Sequence, residues 1–467
     1  MGLKLESMNV KRYVPWVTGL FLVIYVAWTF APLLGTFFYP QDFVSFLNPL
    51  KNDVPFGQYI VDSWSWMNDQ GKLSGFFRPL VNLTFLGEYH VFGFNPTAYR
   101  LINFVMHFLC VFAIYRFVKN LSGRKWLAAA SSTIFLVHPG TVVAIGMIVA
   151  RGDIMVCLFS ILALNAAYLL SREKEVTHKA FLPALYFLLA MCSKELGMIN
   201  ILTLPIMYFL WPGRKSCRRN TIVFLTSLVL VLVPYIVSRL LIFGDIGGYG
   251  YYTAMREIPA HILILISQVS GTFFMGRFIL RLFVYMIIAG LLLNYTGLFT
   301  RKWRKLAVAV LVTGAYSCQS IISDAATHYV YIASAFTVIF LVYFAGSMKI
   351  AREKYRAASL AAVLCVVVLG VLTRRESVNF SNIFPKNEIV FYGLENIYDT
   401  LPREREESCH ILLRHTSLIE SEMRNIPIYL DYLDSDNECV FIFTDDIEAR
   451  SDVPIIVWEN NELIVRR

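Results

Sequence analysis

The chain has 467 residues, of which 57% are hydrophobic and 16% charged, and its mean hydropathy is positive. That is more apolar surface than one soluble core hides, so the natural solvent is a bilayer. The formal charge of +9 invites a nucleic-acid partner, but Lys and Arg are grouped between apolar runs rather than spread along a soluble face, which is the pattern of membrane topology.

In chain order, apolar runs long enough to supply transmembrane helices fall at 16–38, 98–118, 126–137, 154–170, 181–193, 199–211, 222–243, 278–298, 306–322, 329–345 and 357–372. The expected fold is an α-helical polytopic membrane protein of about eleven spans. The first run is too long for a cleaved signal peptide and lacks a small-x-small cleavage site, so it is read as a retained helix. Basic tracts at Lys11-Arg12, 116–125, 172–179, 214–219, 301–305 and 349–356 are separated by pairs of spans. All six therefore share the cytoplasmic side, provided that the apolar stretch 261–275 is interfacial or re-entrant. The N-terminus is then cytoplasmic and the tail external.

Two domains follow: residues 1–373, a transmembrane domain that includes a first external loop at 39–97, and residues 374–467, a small soluble extracytoplasmic α/β domain. The loop mixes Trp64, Trp66, Phe76, Phe77, Phe92 and Phe94 with polar residues, a composition suited to short interfacial helices. In the tail, 439–444 and 454–458 read as strands, the latter turning through 459–462 into 463–465, with 401–433 supplying helix or loop. Six of the eight cysteines are in or near spans; Cys409 and Cys439 share the tail, and the sequence leaves open whether they pair.

Apart from the basic tracts, a second set of charges sits at the opposite ends of the helices: Asp42, Arg78, Arg100, His107, His138, Arg151, Asp153, Lys194, Glu195, Arg239, Asp245, Arg277, Arg281, Asp324 and His328. Each costs about 2.5–3.5 kcal/mol on insertion scales unless paired or wet. So many at one side imply a polar cavity opening outward, and the excess of Arg and Lys there suits an anionic ligand such as a phosphate. Arg100, Asn103 and His107, spaced i, i+3 and i+7, share one helix face; a polar interhelical seam is the plainer reading of the last two. As simple ion pairs, the partners would be Arg151 with Asp153 and Lys194 with Glu195. No zinc-type His/Cys spacing, Gly-rich phosphate loop or nucleophile elbow is present.

Ordered strings then become recognisable: Phe77-Arg78-Pro79-Leu80, Gly93-Phe94-Asn95-Pro96, Tyr99-Arg100-Leu101-Ile102-Asn103 with His107, His138-Pro139, Ala150-Arg151-Gly152-Asp153, Ser193-Lys194-Glu195, the run from Arg239 to Tyr249, and His328-Tyr329-Val330-Tyr331-Ile332-Ala333-Ser334. Over roughly residues 14 to 350 the chain resembles the GT-C superfamily, in particular the bacterial relatives of the transmembrane and tetratricopeptide-repeat O-mannosyltransferases, without the repeat array. The resemblance implies a glycosyltransferase working on the periplasmic or lumenal face with a polyprenyl-phosphate-linked sugar as donor.

It also implies a catalytic acid at the start of the first loop, often in an acidic pair. Here Tyr39-Pro40-Gln41-Asp42-Phe43 keeps one acid, Asp42, and has Gln41 where a second is often seen. Asp42 is the candidate general base. Arg78, Arg100, Arg151, Lys194 and Arg239 are the candidate lipid-phosphate ligands, with Arg151 and Lys194 foremost; His107, His138, Asp153, Glu195 and His328 are supporting residues. No metal ligands are assigned, and a divalent cation, magnesium or manganese, is left open as a cofactor. Partners are the lipid-linked sugar, membrane lipid and a glycan, lipid or protein acceptor, with no nucleic acid. A bacterial inner membrane is the expected location. The alternatives are a transporter or flippase for a lipid-linked saccharide, a noncatalytic binder, or a lipid-linked glycan ligase.

Overall fold

The computed structural model describes residues 23–39, 42–51, 55, 57–59, 65–67, 73–243, 301–322, 330–346, 355–382, 391, 409–414, 439–444, 455–459 and 462–466. The expected span at 278–298 and the segment 261–275 lie outside the described residues. Every other expected apolar run carries a helix. These are α1 (Val23–Leu34), α3 (Pro96–Ser122), α4 (Lys125–Leu136), α6 (Arg151–Arg172), α7 (Leu182–Ser193), α8 (Asn200–Pro205) continuing as a π turn (Ile206–Leu210), α9 (Arg218–Phe243), α10 (Arg301–Ile322), α11 (Val330–Gly346) and α12 (Tyr355–Ser381). Between them lie α2 (Pro79–Phe92) in the first loop and the short α5 (Val142–Gly146). Among the described residues, three helical segments, Pro96–Ser122, Ile148–Arg172 and Arg218–Phe243, are long and apolar enough to cross a membrane, and the bent pair α4–α5 makes a fourth.

Polarity runs inside out. On α3 the buried stripe holds Arg100, Asn103, His107, Cys110, Ile114 and Phe117, while Leu101, Val105, Phe108, Leu109 and Phe112 are exposed. A helix in water would present the reverse; in hydrocarbon the polar groups turn inward to find partners. On α9 the buried line Asn220, Phe224, Leu228, Tyr235, Arg239 faces the bundle, and Ile222, Leu225, Val229, Leu230, Val233, Val237 and Leu241 are exposed.

Local chemistry fixes the helix ends. Pro96 occupies the first turn of α3, and the side chain of Asn95 accepts from Ala98 N at 3.2 Å, which satisfies one orphan donor. Gly123 ends α3 at φ +70°, and its N–H donates to Lys119 O, a left-handed cap open to glycine without a Cβ penalty. Helix α4 stops at His138-Pro139 because proline has no N–H and disfavours helical backbone before it. His138 is extended (φ −83°, ψ 128°) and its Nδ1 accepts from Gly140 N at 3.0 Å. The chain turns by 60° into a 3-10 turn and α5, then through Ile148–Ala150 into α6.

Helix α6 is the centre of the bundle, packed against α7 and α3, with α4 joining α3 to α11. It runs from Arg151 to Arg172, so those two arginines mark opposite ends of the molecule, roughly 30 Å apart at 1.5 Å per residue. At the Arg172 end the basic tracts meet: Arg172 Nη2 donates to Pro212 O at 2.8 Å, Arg124 Nη1 to Gly346 O at 2.7 Å, and Lys305 Nζ to Tyr343 Oη at 2.5 Å. The first and last helices run parallel, with Tyr25 Oη donating to Val367 O and Arg374 Nη1 to Trp28 O.

Three expectations change. Trp66 lies not on an interfacial helix but on β1 (Ser65–Met67), which pairs antiparallel with β2 (Leu73–Gly75); alternating polar and aromatic residues suit a half-buried strand as well as a helix. The expected domain boundary at 373 falls within a helix. Helix α12 continues through Arg374 and Arg375 to Ser381, and Phe391 packs on Phe37 at the exit of α1 and on Phe43 and Phe94 of the first loop, with ring centroids 5.2–5.5 Å apart. Within 401–433, read as helix or loop, lies β3 (Cys409–Arg414). Its Ile411-Leu412-Leu413 core is too short for periodicity to separate strand from helix, and pairing on both sides decides it. The sheet order is β4 (Cys439–Thr444), β3, β5 (Ile455–Glu459), β6 (Glu462–Arg466), with β3 parallel to β4 and β5, and β5–β6 antiparallel with Glu459 opposite Glu462.

Close packing makes one glycine indispensable. A Cβ on Gly197, in the 3-10 turn Glu195–Ile199, would collide with the backbone of Ala190. Gly197→Leu is expected to destabilise the protein by about 1–3 kcal/mol, typical of overpacking, seen as a lower thermal unfolding midpoint in detergent.

Candidate functional site

Most of the candidate residues named from the sequence lie at the end of the bundle where α6 begins. Asp42 lies eight residues beyond the end of α1 at Leu34 and is fully buried. Its Oδ2 accepts from Tyr39 N at 2.8 Å and its Oδ1 from Val149 N at 3.0 Å. It thus joins the first loop to the 3-10 turn that leads into α6. Burial pushes its carboxyl up to about 6, against the two backbone N–H groups and the positive charges of Arg100 and Arg151, which pull it down.

Arg100 is also fully buried. Its Nε donates to Gly146 O at 2.8 Å, and its two Nη atoms donate to Thr36 O and Phe37 O. The guanidinium therefore pins the exit of α1 to the end of α5 on either side of Asp42. Arg151 spends all five of its donors. Its Nε goes to Asn103 Oδ1 at 2.7 Å, Nη1 to Thr84 Oγ1 at 3.0 Å and to Glu88 Oε1, and Nη2 to Glu88 Oε2 at 2.8 Å and Tyr99 O at 3.1 Å. Its face lies over the Phe85 ring, 4.4 Å from the centroid. This is a bidentate pair with further hydrogen bonds, the geometry that holds a charge in a low-dielectric core.

Glu88 was not singled out in the sequence. The signal was a lone acid within the apolar helix α2, which is unaffordable there without a cation opposite. The pairing also departs from sequence neighbours. Residues two apart on a helix do not face each other, so Arg151 reaches Glu88 rather than Asp153. Asp153 accepts instead from Lys194 Nζ at 2.6 Å, and Glu195 turns to Arg78, whose Nη2 lies 3.0 Å from Oε2. Arg239 Nη1 stands 3.9 Å from Glu195 Oε1. Among the described residues, Arg78, Lys194 and Arg239 thus form a cluster with Glu195 and Asp153, drawn from the loop, from the end of α7, and from α6 and α9. Phe76 and Phe243 stack under Arg78 and Arg239 at 4.4 and 5.4 Å.

The histidines have other roles. His107 Nε2 lies 3.2 Å from Leu136 O, so it carries the proton, and Nδ1 at 2.7 Å accepts from Tyr331 Oη; this is an interhelical seam between α3, α4 and α11. His138 caps the break after α4. His328 lies outside the described residues, as do Gln41, Asp245 and Asp324. Among the described residues no three His, Cys, Asp or Glu side chains converge as metal ligands.

Removing one partner of a hydrogen-bonded buried pair leaves the other uncompensated. Glu88→Gln is expected to cost about 3–5 kcal/mol of stability, and Arg151→Met combined with Glu88→Gln to cost less than the sum of the two single changes. Thermal unfolding of the three variants in detergent checks both.

Residues 79–241, from α2 nearly to the end of α9, match the family of dolichyl-phosphate-mannose-protein mannosyltransferases. The chain is 28% identical to protein O-mannosyl-transferase Tmtc1 of Drosophila melanogaster over 172 residues, which is 36% of this chain and 19% of that protein. It therefore spans under one fifth of that relative's length. Among solved structures, ArnT from Cupriavidus metallidurans in the apo state aligns with a TM-score of 0.57 at 12% identity, over 92% of this chain and 86% of that one. The same protein bound to undecaprenyl phosphate aligns with a TM-score of 0.53, also at 12% identity and over the same shares of the two chains. In sequence, residues 79–241 are thus similar to dolichyl-phosphate-mannose-protein mannosyltransferases, and the chain as a whole shares the fold of ArnT.

Proposed function

We propose that this protein transfers a sugar from a polyprenyl-phosphate-linked donor to an acceptor hydroxyl at the non-cytoplasmic face, with Asp42 as general base. The observation that carries the reading is the placement of Asp42. Its carboxylate is held in a set orientation by two backbone N–H groups, and among the described residues no side-chain cation hydrogen-bonds it. A carboxylate has about four acceptor sites, so capacity remains for a hydroxyl proton.

In the reaction, the acceptor oxygen bonds to the anomeric carbon while the bond from that carbon to the phosphate oxygen breaks. The acceptor proton passes to Asp42, and the polyprenyl phosphate departs carrying the electron pair. The cluster of Arg78, Lys194 and Arg239 is the source of compensation for the leaving phosphate. Arg151, one of the two foremost candidates from sequence, is spent on protein acceptors, as are three donors of Arg100. Both are better assigned as positioning residues that hold the loop of Asp42 against α5 and α6. Glu195 and Asp153 keep the cationic cluster in place when the phosphate is absent. The relatives' own names supply the direction of this reading, since one is a protein O-mannosyl-transferase and a protein of the same fold binds undecaprenyl phosphate. The sugar and the acceptor, whether glycan, lipid or protein, are open in this proposal.

The cationic ends where Arg124, Arg172 and Lys305 meet belong to the cytoplasm by the positive-inside bias. The opposite end, with Asp42, then faces outward. Parallel α1 and α12 put the N-terminus inside and the tail outside.

The test supplies the purified protein in lipid with a panel of polyprenyl-phosphate monosaccharides. Asp42→Asn is expected to lower turnover at least about 100-fold without changing the unfolding midpoint by more than a few degrees; unchanged turnover would remove Asp42 from the mechanism. Because the carboxyl titrates near 6 and only the ionised form accepts a proton, wild-type turnover should fall roughly tenfold per pH unit below that value. Protonation also favours the folded state there, since the folded pKa lies above the ordinary one, so the loss of turnover on acidification is not a loss of fold through this group.

A further inference from the structure

We propose that Cys409 and Cys439 form a disulfide that joins β3 to β4 and closes the C-terminal sheet covalently. The two cysteines are the first residues of their strands. The strands are parallel, and their register pairs Cys409 with Cys439, continuing through Ile411 with Phe441 to Arg414 with Thr444. Neighbouring strands lie about 4.7–4.9 Å apart, inside the window of about 4.4–6.8 Å between the Cα atoms of a disulfide. Register partners also share a face of the sheet, whereas a slip of one residue would set the two cysteines on opposite faces.

The pair stands where a covalent tie has most effect. Among the described residues, strand β4 is at the edge of the order β4-β3-β5-β6 and pairs with β3, so one described ladder holds it to the sheet. A bond at the first rung fixes the register of that ladder and restricts the chain between the two strands when the sheet opens. The five other cysteines whose state is described, Cys110, Cys157, Cys192, Cys217 and Cys365, are free, and the first four belong to the helical bundle or its connections.

Forming the bond removes two protons and two electrons from the two thiols. The acceptor is a disulfide of the thiol–disulfide oxidoreductase class: one thiolate attacks it to give a mixed disulfide, the second displaces the carrier, and the carrier leaves as a dithiol. Such carriers act in oxidising compartments, so the inference rests on the external tail proposed above.

The experiment keeps the full-length protein in its own membrane. Free thiols are blocked with N-ethylmaleimide at lysis, the protein is then reduced and labelled with a polyethylene glycol maleimide, and peptides are mapped by mass spectrometry. The expected result is that Cys409 and Cys439 escape the first reagent, take up the second after reduction, and appear without reduction as one cross-linked peptide. The Cys409→Ser/Cys439→Ser variant should lose the two-label shift. Finding both residues alkylated at lysis would overturn the proposal. A membrane-impermeant maleimide on sealed vesicles of known orientation then separates the causes. Labelling from the non-cytoplasmic side would mean that the tail is external and the bond simply does not form. Labelling from the cytoplasmic side alone would overturn the topology, and with it the proposed outward-facing site.

Discussion

A guanidinium buried in a bundle that water and lipid cannot hydrate is stable only if its donors meet acceptors, and this requirement shapes the end of the molecule where α6 begins. Arg151 draws Asn103 from α3, Thr84 and Glu88 from α2, and the Tyr99 carbonyl onto one plane. Arg100 does the same for Thr36, Phe37 and Gly146. Four segments distant in sequence are thereby tied around Asp42. The loop that bears the acid is thus fixed by the same groups whose charge lowers its pKa against burial.

The break after α4 is part of the same arrangement. Proline at 139 frees backbone groups that a continuous helix would have used, and irregular backbone at membrane depth is tolerated only where other groups satisfy it. Here Gly146 O accepts from Arg100, Ile145 O from Asn103 at 3.3 Å, and Val149 N donates to Asp42. The residues that would carry chemistry are therefore also the residues that make the broken span affordable. The second cationic group, Arg78, Lys194 and Arg239, differs in that its carboxylate partners are shared. Glu195 serves two arginines, so the cations of this group share one carboxylate instead of each holding its own.

Much of this was legible in the sequence because bilayer burial makes charges conspicuous. Asp42, Arg78, Arg100, Arg151, Lys194, Glu195 and Arg239 stood out against apolar runs, and they do converge. The runs themselves located the helices, and the hairpin from 455 to 466 followed from alternation around a polar turn. Partner choice was not legible, because it depends on helix rotation and on the break at Pro139, which sequence spacing does not encode. Hence Arg151 was matched with Asp153 two residues on rather than with Glu88 on another helix, and Arg151 looked available for a ligand when its donors are spent. Strand β3 was missed for a related reason: Ile411-Leu412-Leu413 is defined by its two neighbours and not by its own pattern.

We propose that the Arg78–Lys194–Arg239 cluster, and not Arg151, receives the phosphate of a lipid carrier. Titrating the protein in lipid nanodiscs with sugar-free polyprenyl phosphate tests it without requiring the sugar or the acceptor. Saturable binding that weakens about tenfold or more in Arg239→Ala, with the fold retained by circular dichroism, is the predicted result. Equal affinity of wild type and Arg239→Ala would contradict it.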